Sequence, residues 1–292
     1  MRALGIAATG MLAQQLNVDV ISNNIANMTT TGFKRQRAEF QDLLYQDMER
    51  AGAASSDAGT IVPAGIQIGV GVKTASVYRI TDQGALDATG NTYDLAIQGE
   101  GYFRVLLPSG EEAYSRAGSM QLSPSGELVT QDGFTVIPSI TVPQDATSVT
   151  INPSGEVEVQ IDGQVNLQTV GQLDLAIFFN EGGLQPLGDS LYKESTASGS
   201  PTIGVPGSTG FGTLRQGYLE MSNVNAVQEI TQLISAQRAY EMNSKTITAA
   251  DEMMSVTNQL DHCLCQRQHH PAPRHYRRRR ADHPRGYFHR RR

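Results

Sequence analysis

Both ends of this chain carry the same seven-residue apolar ladder, and its middle differs from both. At the front, Leu4, Met11, Val18 and Ile25 recur at that interval, with Ala7, Gln14, Ile21 and Met28 on the half-steps. At the back the series is Leu233, Tyr240, Ile247 and Met254, with Ala236, Asn243, Ala250 and Thr257 between. Apolar residues three and four apart place a stripe down one side of an α-helix, and a sustained heptad suits coiled-coil pairing. The expected fold class is therefore α+β: terminal helices paired as a coiled-coil core, with a mainly-β domain looped out between them.

The back helix has a second ladder one residue behind the first: Ala239, Met242, Thr246, Ala249, Met253, Val256 and Leu260. Adjacent residues lie about 100° apart around a helix, so two ladders give an apolar arc too wide for one partner. An ordinary core helix also has such an arc, but the chain shows no further helix long enough to cover it. The front helix can serve one side, and copies of the molecule the rest. The contact residues expected between helices and subunits are Leu4, Met11, Val18, Ile21, Ile25, Met28, Leu233, Tyr240, Ile247 and Met254.

The front helix is expected to end near Gly32, because Thr29, Thr30 and Thr31 are poor helix interior and Gly fits the left-handed position past a helix end. Its 28 residues, at 1.5 Å each, make a rod of roughly 42 Å. From Phe33 to Met48, the residues Phe33, Phe40, Leu43, Leu44 and Met48 suit either a shorter helix or an extended arm. Residues 51–71 are small, polar and Gly-rich: a flexible loop, or a segment that orders between subunits. From about Gly71 to Phe179 the signal is β. Turn markers such as Pro108-Ser109-Gly110, Pro124-Ser125-Gly126 and Pro153-Ser154-Gly155 alternate with runs rich in Val, Ile and Thr: YFRVLL, ELVTQ, FTVIP, SVTIN and EVEVQID. Residues 180–216 are again Gly, Ser and Pro rich and lead back. The second long helix opens at Ser222 or Asn225, where Asn225 with Gln228 resembles a capping box.

Both cysteines (263 and 265), all six His and ten of the 23 Lys and Arg lie after Asp261. Residues 1–260 hold 13 basic and 27 acidic residues, a net charge of −14 against −6 for the whole chain. A body without His or Cys lacks the usual general base, thiol nucleophile and zinc ligands, so no enzyme, cofactor or metal is expected. Its acidity argues against nucleic acid as a partner. No apolar run is long enough to span a membrane. The opening LGIAATGMLA could pass for a signal peptide, but the heptad runs unbroken through it, so it is read as a helix of the mature chain.

Several stretches together resemble one family, the axial rod and hook proteins of the bacterial flagellum. SNNIANMTTTGFKR from Ser22 resembles the family's front signature, carried here by Ser22, Asn23, Asn24, Asn27, Gly32 and Phe33. DLAIQGEGYFRV from Asp94 and AYSRAGSMQLSPSGELVTQDGFTV from Ala113 resemble the start of its β domain. QGYLEMSNVNAVQEITQLISAQRAYEMNSKTITAADEMM from Gln216 resembles its C-terminal helix, including Gln237, Arg238, Ala239, Tyr240 and Glu241. The stretch from Tyr45 to Val72 resembles an insertion that marks distal rod subunits.

The resemblance implies a structural subunit that polymerises helically with itself into the rigid distal rod, the drive shaft between motor and hook. Its implied partners are proximal rod proteins, hook protein, the surrounding ring proteins and the type III export apparatus. The implied location is the periplasmic rod, reached without signal-peptide cleavage. The competing readings are another axial subunit (proximal rod or hook), a secreted β-domain adhesin, and a carboxylate hydrolase.

Four regions are expected. Residues 1–45 with 218–260 form the helical core, and 46–95 with 200–217 an extended connection that includes the rod-specific stretch 46–65. Residues 96–199 form the β domain. Residues 261–292 are a basic tail, with ten basic and two acidic residues, read as disordered or as the product of a frameshift. Such charge blocks often bind an anionic partner. Its His and Cys match no closed zinc pattern.

Three further motifs admit dull readings. Asn17, Asn23, Asn24 and Asn27 make either a solvated face or hydrogen bonds across subunits. The glycines Gly65, Gly69 and Gly71 are not followed by Gly-Lys-Ser/Thr, so no phosphate loop is expected. Asp94 with Glu100, and Glu111 with Glu112, are read as surface charges rather than paired catalytic carboxylates.

Overall fold

The computed structural model describes residues 2–49, 65–163 and 166–268. It opens on helix α1, Arg2–Ala26, and closes on helix α2, Ala226–Gln268. Among the described residues, everything between is strand, turn or a single 3-10 turn. The terminal helices and the mainly-β middle are thus as expected.

α1 stops six residues before Gly32. The chain leaves the helix through turns in which Thr30 N donates to Asn27 O and Thr30 Oγ1 to Asn27 Oδ1. Gly32 is left-handed (φ 67°), but as the last residue of that exit rather than a helix terminator. The segment after it is an extended arm, not a short helix: strands Gln36–Asp42 and Tyr45–Glu49 occupy it. Alternation explains this, since Phe40 shares a half-buried side with Gln36 and Ala38 while their neighbours are exposed. Gln36–Asp42 pairs antiparallel with Val72–Arg79, and Tyr45–Glu49 with Ile66–Gly69. α1 packs against the first of these pairs. Most of the rod-specific stretch 46–65 lies outside the described residues.

The chain then runs outward and back alongside itself. Leu86–Ala88 pairs with the returning Tyr218–Glu220, and Leu95–Gln98 with the returning Thr213–Gln216. These two antiparallel pairs form a neck. Beyond it, a nine-stranded sheet and a three-stranded sheet (Ala146–Ile151, Glu156–Ile161, Gln168–Gln172) make the β domain. All five of the alternating runs named above contain strands. The three Pro-Ser-Gly turns close with an i to i+3 bond onto left-handed glycines, as such turns require. The core between the sheets holds Leu95, Ile97, Phe103, Met120, Val136, Val157, Leu173, Leu175 and Leu214, each almost wholly buried.

Contacts divide the chain into two units, Met1–Thr246 and Ile247–Arg292. In the second, α2 continues as backbone to Gln268, eight residues past Leu260. The rest of the basic tail lies outside the described residues. Among the described residues, no helix is long and apolar enough to cross a membrane.

Candidate assembly site

α2 begins where the capping residues put it: Asn225 Oδ1 accepts from Val227 N and Gln228 N at 3.1 and 3.2 Å. Along the part of the helix in the first unit, one face is covered and another is bare. Leu233 is half-buried and Ala236 is buried, whereas Tyr240 is 44% exposed. Of the second ladder, Ala239 is half-buried, Met242 is 62% exposed and Thr246 is exposed. Val227, Ile230 and Ile234 are also exposed. In the second unit the division repeats: Ala250 is buried and Ile247 and Met254 are half-buried, while Ala249, Met253, Val256 and Thr257 are exposed.

On α1, Ile21 is buried together with Ala7, Ala13 and Val20, and Leu4, Met11, Val18 and Ile25 are half-buried. Met28 lies past the end of the helix and is exposed. Gly10 of α1 lies beside Asn243 of α2, and an added Cβ would sit 2.8 Å from Asn243 Nδ2. The heptads did not single out Gly10. A glycine inside a helical pattern was the available signal, because it costs about 1 kcal/mol without a packing reason.

The signature residues do not sit on one surface. Ser22 and Asn23 are exposed, as are Gln237, Arg238 and Glu241. Asn24, by contrast, is buried and bonded within its own chain. Its Oδ1 accepts from Gln36 N (2.9 Å), and its Nδ2 donates to Gln36 O (2.8 Å) and Glu229 Oε2 (3.1 Å). Arg35 Nη1 donates to the other oxygen of Glu229 at 3.3 Å. Asn27 bonds locally to Asn23 O. The asparagine face is therefore neither simply solvated nor wholly given to neighbours.

A second buried network lies next to it. Glu220 Oε1 accepts from Lys34 Nζ at 2.8 Å and from Gly84 N at 3.0 Å, and Oε2 accepts from Arg116 Nε at 2.6 Å. Lys34, Glu220 and Arg116 are each no more than 5% exposed. Arg116 spends its remaining donors on carbonyls in and just after strand Leu95–Gln98, those of Ile97, Gly99 and Gly101. Lys34 also reaches Asp82 O at 2.9 Å. Burial pushes the Glu220 carboxyl up, but Arg116 and Lys34 more than offset this and hold it below the usual carboxylate range. Burial lowers Lys34, which shares its carboxylate with Arg116. Gly32 is required here: its N donates to Glu220 O (2.8 Å), and a Cβ would lie 2.8 Å from Ala117 N.

A further tie runs from the arm to the β domain. Arg79 Nη2 donates to Leu184 O at 2.5 Å, and its guanidinium stacks 4.8 Å above the Tyr192 ring. Between these ties lies an open groove of about 850 Å³, with Lys34, Arg79, Tyr102, Arg116 and Glu181 in its wall. Burial pushes the Tyr102 hydroxyl far up, and the Arg116 guanidinium over its ring is committed to carboxylate and carbonyl partners. What the groove walls do is hold the neck.

Three of the four carboxylates considered for catalysis have separate partners, and the fourth, Glu100, is exposed. Asp94 is buried, not a surface charge, and accepts from Thr89 Oγ1 and Asn91 Nδ2 within its own turn. Glu112 pairs with Arg104, and Glu111 with Lys193.

Three family models match the chain: a flagella basal body rod protein model over residues 4–34, a flagellar hook protein FlgE/F/G D1 domain over 96–159, and a flagellar basal body rod FlgEFG protein C-terminal model over 215–260. Lys34, Arg116 and Glu220 come one from each matched segment. The chain is similar to the flagellar basal-body rod protein FlgG of Caulobacter vibrioides, with 62% identity over 260 residues, 89% of this chain and 99% of the relative. It is similar to FlgG of Agrobacterium fabrum at 53% (88% and 98% covered) and to FlgG of Bacillus subtilis at 40% (87% and 97% covered). Similarity to the flagellar hook-basal body complex protein FlhP of Bacillus subtilis is lower, at 27%.

Proposed function

Because this chain belongs to the FlgG family of flagellar basal-body rod proteins, we propose that its terminal helices pair as a coiled coil and carry its polymerisation into the distal rod. It is a structural subunit of the basal-body rod, and the hook and adhesin alternatives are not favoured. The observation that carries the assembly reading is that α2 leaves large apolar side chains bare along its length, Met242, Met253 and Val256 among them. Monomers rarely leave such a stripe without a partner. The close approach at Gly10 and Asn243, with Ile21 and Ala236 buried, supports pairing of the helices within one subunit.

On this reading residues 1–45 with 218–260 form the axial core, 46–95 with 200–217 the connection and 96–199 the outward domain, with 261–292 dispensable. The polymer is periplasmic, built from subunits exported by the flagellar type III apparatus without cleavage. It meets proximal rod proteins below, hook protein above and ring proteins around it. Electron microscopy of basal bodies carrying a labelled, motility-competent copy tests this. Label along the rod between the rings and the hook is expected; label elsewhere in motile cells contradicts it.

A further inference from the structure

Glu220 ties three stretches of chain to its own. Its side chain holds the exit of α1 through Lys34, the outgoing segment through Gly84 N, and the β domain through Arg116. Its backbone O receives Gly32 N, and its own strand leads into α2. Both carboxylate oxygens are used, and no buried side-chain polar atom among the described residues is left without a partner. The cluster holds two cations and one anion, all nearly excluded from water. Such an arrangement is stable only while the shared anion stays in place, because two buried like charges without it repel at high cost.

We propose that Glu220 is a positioning residue that locks the neck, fixing the β domain at one orientation to the terminal helices so that it cannot swing under torque. Its effect on the free subunit stands independently of the rod assignment, whereas its effect on rod shape rests on that assignment. Oligomerisation through the helices does not need this contact, so the lock governs stiffness rather than assembly.

The test is amide hydrogen exchange on the full-chain subunit carrying Glu220→Gln, Glu220→Asp or the pair Lys34→Met with Glu220→Gln. Glu220→Gln leaves two buried cations facing one neutral acceptor and one amide donor. Protection should fall by about 100-fold in residues 30–36, 82–86, 97–101 and 216–223, the scale of stranding a buried ion-pair partner, and should hold in residues 128–137 of the β core. The double variant restores the native net charge of the cluster and should recover about tenfold of that loss. Glu220→Asp keeps the charge but is one methylene too short to reach every partner, and should give an intermediate loss in the same segments; it decides the matter if Glu220→Gln does not fold. Unchanged protection, equal loss in 128–137, or a double variant no better than Glu220→Gln would each overturn the lock. Rods assembled from Glu220→Asp subunits should bend more than wild-type rods, and straight rods would overturn its mechanical role. Failure of the wild-type chain to form rods at all would strike the rod assignment instead.

Discussion

Asn24 and Glu229 stand 205 residues apart in sequence, yet the Asn24 amide donates to the Glu229 carboxylate at 3.1 Å where both are 1% exposed. The contact ties the last turn of α1 to the first turn of α2, and Arg35 completes it from the arm. A polar pair buried this far from water holds only while each member is satisfied. The two ends of the chain are therefore joined by hydrogen bonds where α1 ends and α2 begins.

Removing either member should show that coupling. Glu229→Ala strands the Asn24 amide and the Arg35 guanidinium, and should cost about 1–3 kcal/mol in urea unfolding. Asn24→Ala should cost a similar amount. The double variant should fall short of the sum by at least about 0.5 kcal/mol. Additive losses would mean that the two do not act through one another.

The buried side of α1 and the bare side of α2 should respond differently to charge. Ile21→Asp puts a carboxylate at a position 2% exposed in the single subunit. It should cost several kcal/mol and damage the fold of the helical part as well as assembly. Met253→Asp and Val256→Asp lie at positions 65% and 55% exposed. They should leave the subunit's unfolding midpoint nearly unchanged, within about 0.5 kcal/mol, and still abolish polymerisation. Sedimentation and circular dichroism on the same samples separate these outcomes. Polymers formed by both ladder variants would remove the second ladder from the interface.

Much of the fold could be read from spacing. The heptads place both helices, and five alternating runs bounded by Pro-Ser-Gly or Asp-Gly turns place five strands. Two kinds of feature escaped. Gln185–Gly188, Thr202–Gly204 and Thr213–Gln216 are short strands rich in Gly, Pro and polar residues, and they are strands because a neighbouring strand pairs with them. The Lys34–Glu220–Arg116 cluster joins residues up to 186 positions apart, and charge pairing at that range has no local periodicity. Gly32 and Asn24 were visible as signature residues, but only the fold shows why: one admits the backbone of Ala117, and the other bridges α1, the arm and α2.

Deleting residues 46–65 should spare the fold. The pair Gln36–Asp42 with Val72–Arg79, against which α1 packs, lies outside the deleted stretch. The deletion removes most of strand Tyr45–Glu49, which among the described residues pairs only with Ile66–Gly69; Met48 of the one strand and Ile66 of the other are exposed. A two-stranded ribbon of this kind is marginal on its own and gains its order from a partner. Subunits without it should unfold at the wild-type denaturant midpoint but build rods that curve more in micrographs. Rods of unchanged straightness would show that the stretch does not stiffen them.

Acid should weaken the neck, and neutral pH should not. The Glu220 carboxyl is held below its ordinary value of 4.5 when folded, so as pH falls the unfolded chain takes up the proton first. Its contribution is complete above about pH 4.5 and is lost as pH falls through the lower folded value. All six His lie after Asp261, so the body has none to titrate between pH 5 and 8. Unfolding midpoints should be flat from about pH 6 to 8 and drop below about pH 4, with a shallower drop in the Lys34→Met, Glu220→Gln pair. An identical acid slope in that variant would exclude Glu220 as a source of the loss.

The most direct measurement is an electron cryomicroscopy reconstruction of the rod in basal bodies from cells whose only copy of this subunit is the chain itself. The density should place α1 and α2 together along the axis, with Met242, Met253 and Val256 buried against neighbouring copies and the β domain outside them, joined through the neck at Glu220. A rod in which these three side chains face solvent, or in which α1 and α2 of one subunit lie apart, would contradict the account.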